Sequence, residues 1–352
     1  MRRVPLKFSS KYNYLFFKNI FASPYIASIG SVIALPIALL AAPAHLYAQS
    51  SELAQLLPQR PVLVVVPNAA GGPNDIAARL LAPKLAEVVK QNFIVDNRAS
   101  ANGVTGTDYV AKATPNGYTI LVASATLVAN MSLYRNLPYN FLTDLTPVSQ
   151  TYNSNNAVVV NPKVPVNNLT EFIAYVKSGK NAVNFGSAGH GSSQHLAAAL
   201  FNHMVAGNMV HVPYKGGAPA MIDLVGGSIQ AIFSPLIEAL PHINAGSIKA
   251  LGLCGVRRSP LLPNVPLISD VLPGYQSTSW SGIFVPARTP SVIVNKLNAA
   301  IIKVLSQPNV RAHFAEGDKE PVGNSPAEFK QFIAADAERL RMQVKISGAR
   351  MD

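Results

Sequence analysis

The stretch Arg60-Pro-Val-Leu-Val-Val-Val-Pro-Asn-Ala-Ala-Gly-Gly-Pro-Asn-Asp75, followed by Ile76-Ala-Ala-Arg-Leu-Leu81, decides the fold class. Val62 to Val66 is an unbroken β-branched and aliphatic run, the pattern of a parallel strand buried on both faces. Pro67 cannot donate to a ladder, so the strand ends there. Gly72 then stands at an N-cap and Pro73 at the first helical position, with Asn74 and Asp75 in the first turn. A strand feeding a glycine turn and a helix N-terminus gathers unpaired N–H groups and the positive end of the helix dipole, which together make an anion site. The same signal is also ordinary strand-to-helix punctuation, and Asp75 complements the dipole by about 0.3 to 1 kcal/mol with no ligand present. What weighs the two readings is whether the design recurs.

It recurs. Phe93 to Val95 reads as a second strand, Gly106 to Ala113 as a helix and Tyr118 to Ala123 as a third strand ending in Ser124-Ala-Thr126. Those hydroxyls either face a ligand at a strand carboxyl end or satisfy local backbone groups. The strand Ala182 to Phe185 opens into Gly186-Ser-Ala-Gly-His-Gly-Ser-Ser-Gln-His195 before a helical pattern from Leu196 to Val205. A third copy is Val210-His-Val-Pro-Tyr-Lys-Gly-Gly-Ala-Pro-Ala220. Ile229 to Phe233 and Ile248 to Leu253 complete the strands, and the alternation with helices predicts open α/β sheets with parallel strands. Capping signals mark the helices at Asn168/Glu171 and Ser325/Glu328, and Thr289 with Pro290 starts another.

The polar stretch Pro147 to Asn161 lies mid-chain and reads as a first crossing between lobes, and Leu272 to Pro286 as the return. This predicts one lobe from residues 52–152 and 277–352 and a second from 153–276. Residues 1 to 48 carry Arg2, Arg3, Lys7, Lys11 and Lys18 with no acid, then an apolar stretch ending in small residues, the pattern of an export signal cleaved after Ala48. Losing those five charges takes the formal balance from +12 to +7. The remainder has no Lys/Arg block and no basic-aromatic interleaving, which argues against nucleic acid. Cys254 is the only cysteine, so packing rather than an intrachain disulfide must hold the fold.

Catalytic patterns are scarce. Phe185 stands where a nucleophile elbow needs Gly. His190, His195, His203 and His211 form no His-Glu-x-x-His pairing and have no cysteine partners, so no metal site is expected. His195, three residues after Ser192, reads as a helix-start side chain. What the chain offers is backbone donors and hydroxyls at Gly-rich helix starts on two α/β lobes, a design that closes on a small anion.

Several motifs in order carry a resemblance across nearly the whole chain after the signal: Val65-Val-Pro-Asn-Ala-Ala-Gly-Gly72 with Asp75, Asp96-Asn-Arg98, Val110-Ala-Lys-Ala113 with Pro115 and Gly117-Tyr118, Leu137-Pro-Tyr139, Gly186 to His195, His211-Val-Pro-Tyr-Lys-Gly216, and Trp280 with Gly282 and Pro286. The chain resembles the Bug family of extracytoplasmic receptors of tripartite tricarboxylate transporters. That resemblance implies a two-lobed periplasmic-binding-protein fold (Venus-flytrap, type II) with two hinge crossings, no catalytic activity, no cofactor and no metal. It implies a monomer in the periplasm that binds a small carboxylate solute and serves a membrane transporter with one large and one small subunit. Carried over, the carboxylate contacts are Asn68, Ala70, Gly71, Gly72 and Asp75 in the first turn. In the second they are Ser187, Ala188, Gly189, Gly191, Ser192, Ser193 and His195. Ser124, Thr126, Tyr214, Lys215 and Gly216 form a selective rim. Ala99-Ser-Ala-Asn-Gly103 departs from the family's usual turn, and the signal is long. Two other readings stand beside this one: an exported serine hydrolase using Ser187 or Ser192 with a nearby histidine, and an orphan receptor that senses or scavenges.

Overall fold

In the computed structural model, which describes residues 60–99, 101–180 and 182–351, the opening run is strand β1 (Val62–Val66), with four of its five residues buried. The expected export signal and its cleavage point lie outside the described residues. Strands β2 (Phe93–Asn97), β3 (Thr119–Ser124) and β4 (Leu145–Ser154) follow β1 in chain order, before the chain enters β5 (Asn156–Val160), β6 (Asn184–Ser187), β7 (Val210–Pro213), β8 (Ala231–Pro235) and β9 (Lys249–Leu253). It then returns through β10 (Ser279–Pro286) and β11 (Lys319–Pro321). Two sheets result, ordered β11-β4-β10-β3-β1-β2 and β7-β6-β8-β5-β9. The chain therefore leaves the first sheet at Asn155, between β4 and β5, and comes back between Leu253 and Ser279.

The sheets are mixed, not purely parallel. β1, β2 and β3 are parallel, as are β6, β7 and β8, but β10 runs antiparallel to β3 and β4, and β5 runs antiparallel to β8 and β9. The polar stretch Pro147 to Asn161, expected to be a crossing, is almost all strand. A strand that continues across a hinge, or returns over it, enters its sheet from the hinge end and so opposes the βαβ strands. The register makes the consequence explicit: Ser281 pairs with Ser124 and Ser279 with Ser154, while Asn156 pairs with Pro235. The carboxyl ends of β3 and β8 thus lie beside the crossing, and β1 and β6, parallel to them, end there too. Both sheets aim the ends that bind ligands at one junction.

Helices cover both faces of each sheet. Pro73–Val89 and Ser291–Leu305 share a core with Val62, Val64, Ile120 and Ile283, whereas Ala125–Leu133 and Pro326–Ser347 pack with Val65, Leu121, Trp280 and Phe284 on the opposite face. In the second lobe, Leu169–Ser178 and Ser193–Met204 pack on Val158, Phe185 and Phe233, and Gly217–Gly226 with Leu236–Asn244 on Val159 and Ile232. Each fully buried Val, Leu, Ile or Phe contributes about 1.5 to 3 kcal/mol relative to exposure. The capping signals behave locally as expected. Asn168 accepts from Glu171 N–H and Ser325 from Glu328 N–H, and Ser192 caps a further helix by accepting from His195 N–H. Trp280 is 1% exposed, and its Nε1 donates to Asp336 Oδ2 at 2.7 Å. Cys254 is buried. Among the described residues no helix is long and apolar enough to cross a membrane.

Candidate functional site

A cleft of about 260 Å³ lies at the junction. From the first sheet and its helices it takes Asn68, Pro73, Asn74, Ser124, Thr126, Tyr152 and Trp280, and from the second Ala188, Ser192, Ser193, Gln194 and Pro235 to Glu238. Ser154, Asn155 and Lys319 line it at the hinge. Wider hollows of about 700 and 500 Å³ around Tyr109 and Arg288 are lined from the first lobe alone. The junction cleft meets the helix starts of both lobes. Its volume falls just below the roughly 300 to 1,000 Å³ of pockets for drug-sized ligands, which points to a guest of few heavy atoms.

Gly72 caps the Pro73–Val89 helix from extended backbone, and the first-turn amides of Asn74 and Asp75 have no intrahelical acceptor. Gly71 has φ +82°, which a side chain would strain. Its N–H does not face the cleft. It donates to Asp75 Oδ2 at 2.8 Å, and the same carboxylate accepts from Arg79 Nε at 3.0 Å and Asn97 Nδ2 at 2.9 Å. Gly72 N–H is likewise turned toward Ala69 O. Burial would raise the Asp75 pKa, but the hydrogen bonds from Arg79, Gly71 and Asn97 outweigh it and hold the carboxyl below its ordinary value. Asp75, 3% exposed, is therefore the brace of the turn. On the cleft side, Asn74 Nδ2 donates to Asn68 Oδ1 at 3.0 Å.

The second turn is built the same way. Ser187 is fully buried: its Oγ donates to Gly189 O, accepts from Gly189 N–H and lies 2.6 Å from His211 Nε2. Gly191, at φ +71°, donates its N–H to His195 Nδ1 at 3.1 Å. Gly189, at φ +120°, presents its carbonyl to Ser192 Oγ. So the glycine amides of both turns are spent on holding the turns. The donors left toward the cleft belong to the first helical turns and to side chains.

His190, His195 and His211 bring ring nitrogens within 4.8 Å of one another. His195 and His211, however, stack face to face at 3.8 Å with 11° between planes. Imidazole lone pairs lie in the ring plane, so two parallel rings cannot converge on one tetrahedral ion. Phe185 stacks on the same pair. Burial, then the charges of neighbouring histidines, holds His195 down at about 3 and His211 at about 4, so both rings are neutral packing elements at pH 7.

Of the residues expected at the site, Asn68, Ser124, Thr126, Ala188, Ser192 and Ser193 line the cleft. Asp75, Ser187 and His195 sit behind it as supports. Ala70, Gly71, Gly72, Gly189 and Gly191 shape the turns without lining it. The third turn stands apart: Tyr214 Oη donates to Asp223 at 2.6 Å, burial and that carboxylate push its pKa up to about 12, and neither Lys215 nor Gly216 reaches the cleft. The strand-to-helix design is present there, but Glu238 and Gln194 stand at that wall. Gln194 Nε2 donates to Glu238 Oε2 at 3.2 Å, Gln194 Oε1 is buried without a hydrogen-bond partner among the described residues, and burial raises the Glu238 pKa.

Sequence reading placed Asn74 in the first turn but passed over Tyr152, Gln194, Glu238 and Lys319 as lining residues. Tyr152 Oη reaches Asn74 Oδ1 at 3.4 Å, and its pKa is raised by burial. Lys319 Nζ lies 4.7 Å from the Tyr152 ring centroid. No local motif marks Tyr152 or Lys319, since strand pairing alone brings β4 and β11 to the hinge.

The chain is similar to known proteins in sequence and fold. BugT of Bordetella pertussis is 35% identical over 301 residues, covering 85% of this chain and 92% of that protein. A protein of R. palustris solved with adipate superposes with a TM-score of 0.76 at 33% identity, over 84% of this chain and 99% of its own. MatC of Rhodopseudomonas palustris, solved with bound malate, gives 0.73 at 32% identity, over 82% and 100%. Residues 77–348 match the family described as the tripartite tricarboxylate transporter family receptor. With its two lobes, its helix starts facing one cleft and these relatives, the chain belongs to the tripartite tricarboxylate transporter receptors, the Bug family.

Proposed function

We propose that this protein is a periplasmic receptor that captures a small carboxylate between its lobes and delivers it to a tripartite membrane transporter with one large and one small subunit. The observation that carries the reading is the cleft of about 260 Å³, with a helix first turn on each side and hydroxyl and amide groups between them. A carboxylate accepts charge-assisted hydrogen bonds from such donors, directly or through ordered water. The relatives solved with adipate and malate support the solute class. Asn68, Asn74, Ser124, Thr126, Ser192 and Ser193 are the contacts, and Asp75, Ser187 and His195 position them. Mass spectrometry of small molecules retained by the purified protein tests this. Stoichiometric release of an unaltered carboxylate is expected, and retention of only neutral or cationic solutes would end the reading.

The hydrolase reading has one observation in its favour, the 2.6 Å separation of Ser187 Oγ and His211 Nε2. Ser187 is fully buried, however, and a base held at about 4 takes a proton poorly at pH 7. Release of an altered product during incubation with carboxylate esters would reverse this judgement.

A further inference from the structure

Lys319 is 5% exposed and lines the cleft, yet no hydrogen bond or ion pair to its ammonium exists among the described residues. Acids flank it in sequence, but neither turns toward it. Asp318 and Glu320 both turn to Arg257, at 3.0 and 3.4 Å, and Asp318 also takes Ser259 Oγ and Asn155 Nδ2 at 2.9 Å. Lys319 points the other way, toward the rings of Tyr152 and Phe314 at 4.7 and 6.0 Å. A buried charge without a partner is costly and is retained where something pairs with it.

Resting on the receptor reading above, we propose that Lys319 is the anchor for a second acidic group of the solute, so that the cleft selects a diacid over a monoacid. The facing wall favours this placement. There the Glu238 side chain lines the cleft and disfavours a bare carboxylate beside it, which leaves Lys319 as the cation available to the second one. Burial holds the Lys319 pKa at about 8, as fits an ammonium still lacking its counter-charge.

The test is calorimetric titration of the whole protein and its Lys319→Met variant with succinate, adipate and the half-amide of each. Wild type should bind a diacid at least tenfold more tightly than its half-amide, and Lys319→Met should bring the two within twofold. The variant should melt at or above the wild-type temperature, because an uncompensated charge has been removed, whereas a structural lysine would lower it. Should Lys319→Met fail to fold, Lys319→Gln supplies the same comparison. A diacid preference that survives the substitution, or its absence in wild type, overturns the inference. If wild type binds none of these acids but retains another carboxylate from cells, the receptor reading stands and the role of Lys319 falls; if it retains no carboxylate, both fall.

Discussion

Gly191→Ala should weaken solute binding by pressing the lobes apart. Gly191 sits in the second lobe at φ +71°, where an alanine costs about 1 to 2 kcal/mol. A Cβ at that position would collide with Leu133 Cδ1 of the first lobe and come within 3.0 Å of its Cδ2 and 3.2 Å of its Cγ. Optimal carbon contacts are about 3.5 to 4.0 Å, and crowding of this kind costs roughly 1 to 3 kcal/mol. Leu133 is 2% exposed, so it has little room to yield. The total is about 2 to 5 kcal/mol. The backbone part falls on the stability of the turn, but the steric part lies between lobes and is relieved by opening the cleft. At 1.4 kcal/mol per decade it should weaken affinity by roughly fivefold to a hundredfold. Calorimetric titration with the retained carboxylate reads this, with denaturant unfolding beside it. Gly72→Ala is the control, since φ is −75° there and a Cβ would be an ordinary 3.4 Å from Ala69 O. Equal affinities for wild type and Gly191→Ala would show that the two lobes do not need this approach to hold a solute.

Asp75→Ala takes the carboxylate acceptor from the Gly71 N–H and from one Asn97 amide hydrogen, while Asn97 Nδ2 keeps Asn68 O at 3.2 Å, and should lower unfolding free energy by roughly 1 to 3 kcal/mol. An unchanged denaturation midpoint would remove Asp75 as brace of the first turn. His195 and His211 are held at about 3 and 4, below the ordinary 6.5, so between pH 6 and 4.5 the unfolded chain binds up to two more protons than the folded one. Stability should therefore be complete above pH 7 and fall on acidification by up to about 2.7 kcal/mol per pH unit in that window. Unfolding free energies measured across it should fall accordingly, and His195→Gln should remove about half the slope with pH; a flat profile would contradict the neutral stacked pair. Trp280, buried at the cleft, should change its emission on binding a carboxylate and not with the corresponding amide. A response to both would detach the signal from charge recognition.

What the sequence determined by itself was whatever depends on near neighbours along the chain. The β1 run, the Pro73 helix start and the caps at Asn168 and Ser325 rest on steric and hydrogen-bonding rules that act within a few residues, and they could be read without coordinates. The tertiary structure decided how those pieces are used. Whether the Gly71 and Gly191 amides face a solute or a support depends on where the side chains of Asp75 and His195 fold back, and the antiparallel course of β5 and β10 depends on their entering each sheet at the hinge. Asp318-Lys-Glu320 shows the limit most plainly. In sequence it is a solvated charge run like many others, and only the pairing of Lys319 with Ser154 turns two charges toward Arg257 and buries the third in the cleft. Charge is written in the chain, but its direction is set by strand register, and register joins residues more than 150 positions apart.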